Sequence, residues 1–224
     1  MRKIVKYLVS HTYKPVLENY LSKTRSYSYK GISLEIPAGV FHPRFFYSTK
    51  FLLNHIMHEQ LTQQSVLELG AGSGLISIYA AFNGATVTAT DINPVAVNCL
   101  KKNMADNNVN LEVLQSDLFA DIPIKPYKFI LLNPPYYKRD PESYSQFAWY
   151  CGKNGEYFHK LFAELEHYLD DCTKVYMVLC EGCDLAMIKN AAANKQFSLN
   201  CVATGSRFME KHYIFKIQSF QCAN

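Results

Sequence analysis

From about residue 65 to the end of the chain, segments typical of buried strands alternate with segments typical of helices. The strand patterns, rich in Val, Ile, Leu and Thr, cover residues 65–70, 85–91, 109–117, 127–133 and 173–181. The helical patterns between them cover residues 75–84, 94–108, 155–171 and 184–195. Strands that alternate with helices form parallel sheets whose two faces are both covered. The sequence therefore predicts an α/β fold with a doubly wound, mostly parallel sheet.

The last part of the chain departs from this alternation. FSLNCVAT at 197–204 and KHYIFKIQ at 211–218 are both strand patterns, and the residues between them are too few for a helix. Two strands joined by a short connection pair antiparallel. We therefore predict a Rossmann-like sheet of seven strands that ends in an antiparallel hairpin, which an ordinary dinucleotide-binding domain lacks.

Residues 1–58 show a different pattern, and we interpret them as an N-terminal arm or lid ahead of a Rossmann-like domain at 59–224. ISLEIPAGVFHP predicts two short strands around Pro37 and Gly39. A helix is then expected to begin near Ser48 or Thr49, whose hydroxyl groups are suitable N-caps.

The positive charge of the first thirty residues is concentrated, because seven basic residues face the single acid Glu18. These are Arg2, Lys3, Lys6, Lys14, Lys23, Arg25 and Lys30. Any attraction to a polyanion would be centred there, although a solvated basic face explains the charges equally well.

The cellular setting follows from what the chain lacks. No segment has the ~20 apolar residues that span a bilayer, and Lys6 interrupts an N-terminal apolar run too short for a signal peptide. The seven cysteines are an odd, scattered set, which favours reduced thiols in a soluble cytoplasmic protein. Cys180 and Cys183 have the spacing of a zinc or redox motif, but no second pair completes a site, so no metal is predicted.

A glycine-rich turn follows the first strand pattern directly. In ELGAGSGL at 68–75, Gly70, Gly72 and Gly74 allow a sharp turn and close approach of a ligand, and the next helix offers free N–H groups. Asp91 and Asp117 end the second and third strand patterns, where they could accept hydrogen bonds from a ribose and an adenine amino group. Asp91 could instead cap the helix that follows. Because the carboxyl ends of parallel strands meet at one edge, the sequence predicts a nucleotide-like site there.

The fourth strand pattern runs into NPPY at 133–136. The side-chain oxygen of Asn133 and the carbonyl of Pro134 can accept the two hydrogens of an amine, whose lone pair is then aimed at an electrophile. Pro134 and Pro135 have no N–H, so the turn offers acceptors in a rigid frame, and Tyr136 can stack on a planar substrate. The alternative is that Asn-Pro-Pro simply ends a strand.

Over residues 65–218 the chain resembles class I S-adenosylmethionine-dependent methyltransferases. ELGAGSG is similar to that family's E/DxGxGxG loop, and Asp91 and Asp117 occupy its acidic positions. The resemblance implies S-adenosyl-L-methionine as cofactor, with Glu68 supporting the loop. The cofactor-binding residues that it implies are Glu68, Gly70, Ala71, Gly72, Gly74, Asp91, Ile92, Asp117, Leu118 and Asn133. The catalytic residues that it implies are Asn133, Pro134, Pro135 and Tyr136.

NPPY also resembles the (N/D)PP(Y/F/W) signature of amino methyltransferases, whose targets include adenine N6, guanine N2 and glutamine N5. WYCGKNGEYFHKLF at 149–162 and HPRFFYSTKFLL at 42–53 resemble the HemK/PrmC-like glutamine methyltransferases. AGVFHP at 38–43 resembles the small-domain ribosomal RNA guanine-N2 methyltransferases. The resemblance therefore implies N-methylation of a macromolecule, either a protein such as a release factor or a nucleic acid.

The loop after NPPY leaves these two substrate classes open. Its aromatic residues, beside Lys138 and Arg139, could stack a flipped base and hold its phosphates, or close over a peptide amide. The alternatives to an amino methyltransferase are a catalytically silent binding subunit of the same fold and a nicotinamide oxidoreductase. The first would be expected to lose the glycine loop or NPPY, and the second to carry GxGxxG.

Overall fold

The computed structural model describes residues 20–207 and 210–220, in which strands and helices alternate as the sequence predicts. In chain order the elements are β1 (Arg25–Tyr29), β2 (Ile32–Ile36), α1 (Tyr47–Ile56), β3 (Ser65–Leu69), α2 (Leu75–Phe82), β4 (Thr86–Asp91), α3 (Pro94–Asp106), β5 (Glu112–Gln115), β6 (Phe129–Leu132), α4 (Glu156–Glu164), β7 (Lys174–Cys180), α5 (Leu185–Ala193), β8 (Phe197–Arg207) and β9 (Glu210–Ser219). Short 3₁₀ helices lie at Tyr144–Ala148 and Leu165–Tyr168.

The main sheet has seven strands in the order β5-β4-β3-β6-β7-β9-β8. The strands from β5 to β7 are parallel, whereas β9 pairs antiparallel with both β7 and β8. The predicted doubly wound sheet with an antiparallel end is therefore confirmed. Phe208 and Met209, which follow β8 in the sequence, lie outside the described residues.

Both faces of this sheet are buried, which explains why its central strands are continuous apolar runs. In β6, Phe129 and Leu131 belong to the hydrophobic cluster under α1, α2 and α3, and Ile130 and Leu132 belong to the one under α4 and α5. All four side chains are almost inaccessible to solvent. Burying a leucine or isoleucine completely contributes roughly 1.5–3 kcal/mol, so these short strands are held mainly by packing.

The N-terminal part differs from the sequence prediction. Two strands were expected around Pro37 and Gly39, but only β2 lies there and it ends before Pro37; its partner is the earlier strand β1. Lys30 and Gly31 join the pair, both with positive φ (52° and 81°), which is the backbone of a tight hairpin turn. After β2, residues 37–46 form turns without a strand.

The hairpin is fixed to the domain through its inner face and its open edge. Ile32, Leu34 and Ile36 are buried in the same hydrophobic cluster as the central sheet. Side chains of α3 pair with the free backbone of β2: Asn103 Oδ1 accepts from the Glu35 N–H (2.8 Å), and the Asn107 side chain bonds both the N–H and the carbonyl of Ser33. The division of the chain at residue 58 stays a prediction.

Helix α1 also begins differently from the prediction. Its N-cap is Phe46, in an extended conformation and without a side-chain hydrogen bond, so neither Ser48 nor Thr49 caps the helix. Both lie inside its first turn and are buried. Their hydroxyl groups therefore face the protein interior and not the free N–H groups of the helix start.

Four of the basic residues singled out above, Arg2, Lys3, Lys6 and Lys14, lie outside the described residues, as does Cys222. Among the helices of the described ranges, none combines the length and the apolar character needed to span a membrane.

Candidate active site

The carboxyl ends of β3, β4, β5 and β6 open onto one cleft, located where the strand order reverses between β3 and β6. Open α/β sheets bind ligands at this position. All but one of the site residues predicted from the sequence line it: Glu68, Gly70, Ala71, Gly72, Asp91, Ile92, Asp117, Leu118, Asn133, Pro134, Pro135 and Tyr136. The remaining residue is Gly74.

The glycine-rich turn between β3 and α2 contains glycines with two different functions. Gly70 and Gly72 have positive φ (72° and 56°), and no atom lies within 4 Å of where a Cβ would stand on either. Gly74 also has positive φ, but a Cβ there would lie 2.0 Å from Leu100 Cδ1. Gly70 and Gly72 therefore leave space along the cleft, whereas Gly74 allows α2 to pack closely against α3.

Asp91, at the end of β4, holds the glycine turn from one side. Its Oδ2 accepts from the Gly72 N–H and its Oδ1 from the Asn93 N–H, both at 2.9 Å. Helix α3 is capped by Asn93, whose side chain accepts from the Val95 N–H, so Asp91 does not have the alternative capping role. Burial raises the pKa of Asp91, and the two backbone donors oppose that rise.

Glu68 lies beneath the turn and is only 5% exposed. The Ser77 hydroxyl, in the first turn of α2, donates to its Oε2. Burial raises the pKa of Glu68 to about 8, although the hydrogen bond from Ser77 opposes the shift. The shift favours the protonated form of the side chain near neutral pH.

Asp117 follows β5 and faces α4 across the cleft. Lys160 Nζ donates to its Oδ2 (2.7 Å) and to its main-chain carbonyl (3.1 Å). Within the described residues its other carboxylate oxygen has no hydrogen-bond partner, so it can accept from a ligand. Tyr157, one helical turn before Lys160, also lines the cleft, and its pKa is raised by burial and by the charges of Asp117 and Asp91.

Asn133 occupies the end of β6, opposite the glycine turn. Its Nδ2 donates to Thr49 Oγ1 at 3.1 Å, which joins the strand end to α1. Among the described residues, no hydrogen bond reaches Asn133 Oδ1 or the Pro134 carbonyl oxygen. The turn therefore presents two unpaired acceptors. Tyr136 completes this wall of the cleft, with its ring centroid 4.7 Å from that of Tyr137.

An aromatic segment is held next to the NPPY turn by backbone pairing. The Tyr137 N–H donates to the Trp149 carbonyl and the Cys151 N–H donates to the Tyr137 carbonyl, both at 3.0 Å. The Trp149 ring packs against Phe41 and Phe46, with centroids 5.2 and 4.8 Å away. Residues from before α1 and after β6 therefore build the cleft mouth together.

The cations of this segment are each paired with an acid. Lys138 bonds Asp184 (3.1 Å), Arg139 bonds Glu142 (3.3 Å) and Lys153 bonds Asp140 (3.0 Å). These pairs are exposed, so each contributes little stability. Their effect on charge is larger, because the positive charges of Lys138 and Arg139 are locally neutralised, so the segment after NPPY presents mainly aromatic side chains at the cleft mouth.

Cys180 and Cys183 lie behind Tyr136 with their Sγ atoms 3.8 Å apart. No group of three or more His, Cys, Asp or Glu side chains in the described part of the chain could hold a metal ion. The pair is therefore a buried dithiol without further ligands.

Sequence reasoning missed two parts of the cleft wall. Phe41 and Tyr157 both line it, but neither belongs to a strand end or a glycine turn. Tyr157 lies in the amphipathic helix α4, next to the core residue Phe158. The sequence shows which residues of this helix face the core, but it does not show which of the others come close to the ends of the strands. The Asn133–Thr49 contact links positions too distant in sequence to be paired without the fold.

Comparisons with known proteins agree with this geometry. The family model described as methyltransferase small domain matches residues 32–150, more than half of the chain. A Methanocaldococcus jannaschii protein, named as a candidate protein N5-glutamine methyltransferase, is 38% identical over 146 residues, which cover 62% of this chain and 72% of that protein.

The release factor glutamine methyltransferase of Streptococcus pneumoniae is 34% identical over 160 residues, covering 66% of this chain and 56% of that enzyme. The chain thus spans less than two thirds of this relative. Among solved structures, a T. thermophilus 16S rRNA N2 methyltransferase in complex with AdoMet and guanosine superposes with a TM-score of 0.60 and 19% identity. The superposition covers 87% of this chain and 50% of that one, and at this identity the likeness concerns the fold.

Proposed function

Because the chain belongs to the methyltransferase small-domain family, we propose that it transfers a methyl group from S-adenosyl-L-methionine to the side-chain amide nitrogen of a glutamine in a protein. The observation that supports this most directly is the Asn133 side chain, whose unpaired oxygen lies in the same cleft as the glycine turn. The oxygens of Asn133 and Pro134 are two adjacent acceptors without a donor between them, and this arrangement suits a planar NH₂ group.

The cleft residues fit the cofactor. When bound, S-adenosyl-L-methionine supplies a methyl group already activated by the positively charged sulfur. Gly70 and Gly72 leave the room that its methionine part requires, since a Cβ on either would extend into open space. Asp91 can accept further hydrogen bonds from ribose hydroxyls, and the free oxygen of Asp117 can accept from the adenine amino group. The hydrogen bond between Glu68 and Ser77 joins the end of β3 to the first turn of α2, on the two sides of the glycine turn.

The acceptor nitrogen requires more help than the methyl donor. An amide nitrogen is a weak nucleophile because its lone pair is delocalised into the carbonyl group. Asn133 Oδ1 and the Pro134 carbonyl accept its two hydrogens, so the nitrogen becomes more pyramidal and its lone pair is aimed across the cleft. Positioning supplies most of the acceleration in such a reaction. After transfer, one hydrogen leaves the nitrogen as a proton to water.

Two observations favour a protein over a nucleic acid as the substrate. The relatives with the higher coverage are named for glutamine methylation. Three cations of the segment after NPPY, Lys138, Arg139 and Lys153, are paired with Asp184, Glu142 and Asp140, so these three offer little to a phosphate backbone, which is normally held by unpaired Lys and Arg.

RNA is the second candidate, because Tyr144 and Phe147 lie at the mouth with exposed rings. Exposed aromatic rings can stack an unpaired base, and a guanine also presents a planar NH₂ group. The fold similarity to an rRNA methyltransferase is compatible with this candidate.

An assay of methyl transfer to cell extract distinguishes the protein substrate from the RNA substrate. The protein is incubated with methyl-tritiated S-adenosyl-L-methionine and extract, and the product is then treated with RNase or with protease. We expect protease to release the label and RNase to leave it. Release by RNase would establish the RNA candidate in its place.

The Asn133→Ala variant is the matched control. It removes one acceptor but leaves the glycine turn and Asp91 intact, so it should bind S-adenosyl-L-methionine in calorimetry while losing transfer. Full activity in this variant would refute the proposed mechanism. Cofactor binding without transfer to any extract component by the unaltered protein would instead indicate a catalytically silent binding subunit.

A further inference from the structure

We infer that Thr49 is a positioning residue that turns the Asn133 amide so that its oxygen, and not its NH₂ group, faces the acceptor. The inference rests on the proposed function, because it concerns how the acceptor nitrogen is held. It connects α1, which lies before the methyltransferase loop in the sequence, to the reacting wall of the cleft.

The contact is direct. Asn133 Nδ2 donates to Thr49 Oγ1 at 3.1 Å, and among the described residues this is the one side-chain hydrogen bond that Asn133 makes. Both residues line the cleft, and Thr49 is buried. A hydrogen bond to a group shielded from water is not readily replaced by solvent, so its loss is costly.

The orientation of the amide decides what the cleft offers. Rotation of the amide group by half a turn exchanges its oxygen for its NH₂ group with little change in shape. In that orientation Asn133 would present hydrogens toward the hydrogens of the substrate NH₂, and one of the two acceptors would be lost. In the structure Thr49 Oγ1 accepts from Nδ2, which holds the amide in the orientation that leaves Oδ1 for the substrate.

Thr49 is itself held rigidly enough for this role. It lies in the first turn of α1, whose residues Leu52, Leu53 and Ile56 are completely buried in the core. A β-branched side chain in a helix has few rotamers, and the threonine hydroxyl is largely restricted to two positions. Donation of a hydrogen bond from Asn133 Nδ2 to Thr49 also polarises the amide and makes Oδ1 a stronger acceptor.

The substitution Thr49→Val tests this inference, since valine has nearly the same shape but no oxygen. The rate is measured as the initial incorporation of methyl-tritiated S-adenosyl-L-methionine into RNase-treated extract protein at saturating donor. We expect a loss of roughly 10- to 100-fold, because the amide is left without its buried partner. Thr49→Ser restores the oxygen and should recover the rate to within a few-fold.

Three readouts separate positioning from a general structural effect. The calorimetric Kd for S-adenosyl-L-methionine should change by less than about twofold in both variants. In the Asn133→Ala background, Thr49→Val should cause little further loss, as expected of two groups that act through one contact. The side-chain amide signals of Asn133 in a ¹⁵N NMR spectrum should shift in Thr49→Val and remain near their original positions in Thr49→Ser.

Thr49→Val with unchanged rate and unchanged amide signals would overturn the inference. So would a loss of rate that Thr49→Ser does not recover, since the hydroxyl would then not be the feature that matters. An unaltered protein that transfers no methyl group refutes the proposed function itself. An active protein whose Thr49→Val variant is equally active refutes this inference alone.

Discussion

Glu68 makes the stability of the protein depend on pH in a way that one substitution should remove. The residue is 5% exposed, and its carboxyl group accepts a hydrogen bond from the Ser77 hydroxyl. Burial raises its pKa from 4.5 to about 8 in the folded protein. The unfolded chain releases this proton near pH 4.5, whereas the folded chain keeps it until near pH 8. The folded state is therefore favoured below pH 4.5, and this advantage is lost as the pH rises toward 8.

The size of the effect follows from linkage. Each pH unit between the two pKa values costs about 1.36 kcal/mol of unfolding free energy. Between pH 6 and pH 8 the Glu68 carboxyl should therefore lower stability by about 2 kcal/mol, allowing for the flattening near its folded pKa. For a chain of this size that corresponds to roughly 4 to 8 °C in Tm.

Glu68→Gln removes the titrating group but keeps a neutral side chain of the same size, as the protonated acid already is. Without cofactor, the Tm of this variant should lack the part of the pH dependence that Glu68 causes. The Tm of the unaltered protein should fall by the extra 4 to 8 °C between pH 6 and pH 8. Urea unfolding at both pH values gives the free energies directly. Titrating groups that do not interact with Glu68 contribute equally to both proteins and cancel in the difference; Asp91, whose charge also raises the pKa of Glu68, is the exception.

Parallel Tm curves for the two proteins between pH 6 and pH 8 would refute the reasoning, since Glu68 would then titrate alike in the folded and unfolded states. Ser77→Ala serves as the matched control. It removes the donor that opposes the shift, so the pKa of Glu68 should rise further and the pH dependence should steepen.

Three further predictions concern the supports of the cleft. Asp91→Asn keeps the size of the side chain but replaces one accepting oxygen by an NH₂ group, which faces a backbone N–H. The calorimetric Kd for S-adenosyl-L-methionine should therefore rise at least tenfold, and an unchanged Kd would contradict the role of Asp91 in binding the cofactor. Gly74→Ala places a methyl group 2.0 Å from Leu100 Cδ1 at positive φ, and urea unfolding should show a loss of roughly 1–3 kcal/mol. Asn103→Leu leaves the Glu35 N–H of β2 and the Ser73 carbonyl of the glycine turn without their side-chain partner. The free energy of unfolding should therefore fall by roughly 2–4 kcal/mol, and a fall below about 0.5 kcal/mol would show that water replaces these bonds.

Much of the fold could be predicted because the packing of this sheet is visible in the sequence. Strands buried on both faces must be apolar throughout, and the four apolar residues FILL at 129–132 fit the centre of such a sheet. Strand β1 was missed for the opposite reason. Its sequence RSYSY alternates serine with arginine and tyrosine, which are only half-buried, so its period carries little apolar signal. Pro37 was consequently interpreted as a turn between strands, although it ends the second one.

The site divides in the same way. Asp91 and Asn133 follow from topology alone, because parallel neighbouring strands bring their carboxyl ends to one edge. Thr49 and Tyr157 depend on how far a helix is rotated and shifted along the sheet, which packing decides. The charges at the mouth belong to this second group as well. Lys138 and Arg139 read as free cations in the sequence, and only the fold reveals the acids that neutralise them.

The two walls of the cleft therefore differ in charge, and on the proposed mechanism this difference selects the substrate. The Asp91 carboxylate lies on the cofactor side, where a negative charge favours a cationic ligand, and the charge of Asp117 beside it is offset by Lys160. The acceptor side offers the uncharged oxygens of Asn133 and Pro134, which bond an NH₂ group without attracting an ammonium ion. A lysine side chain is protonated at neutral pH and has no lone pair to give. A glutamine peptide should accordingly be methylated, whereas its lysine counterpart should remain unlabelled even at pH 9; labelling of lysine would show that the acceptor wall does not discriminate by charge.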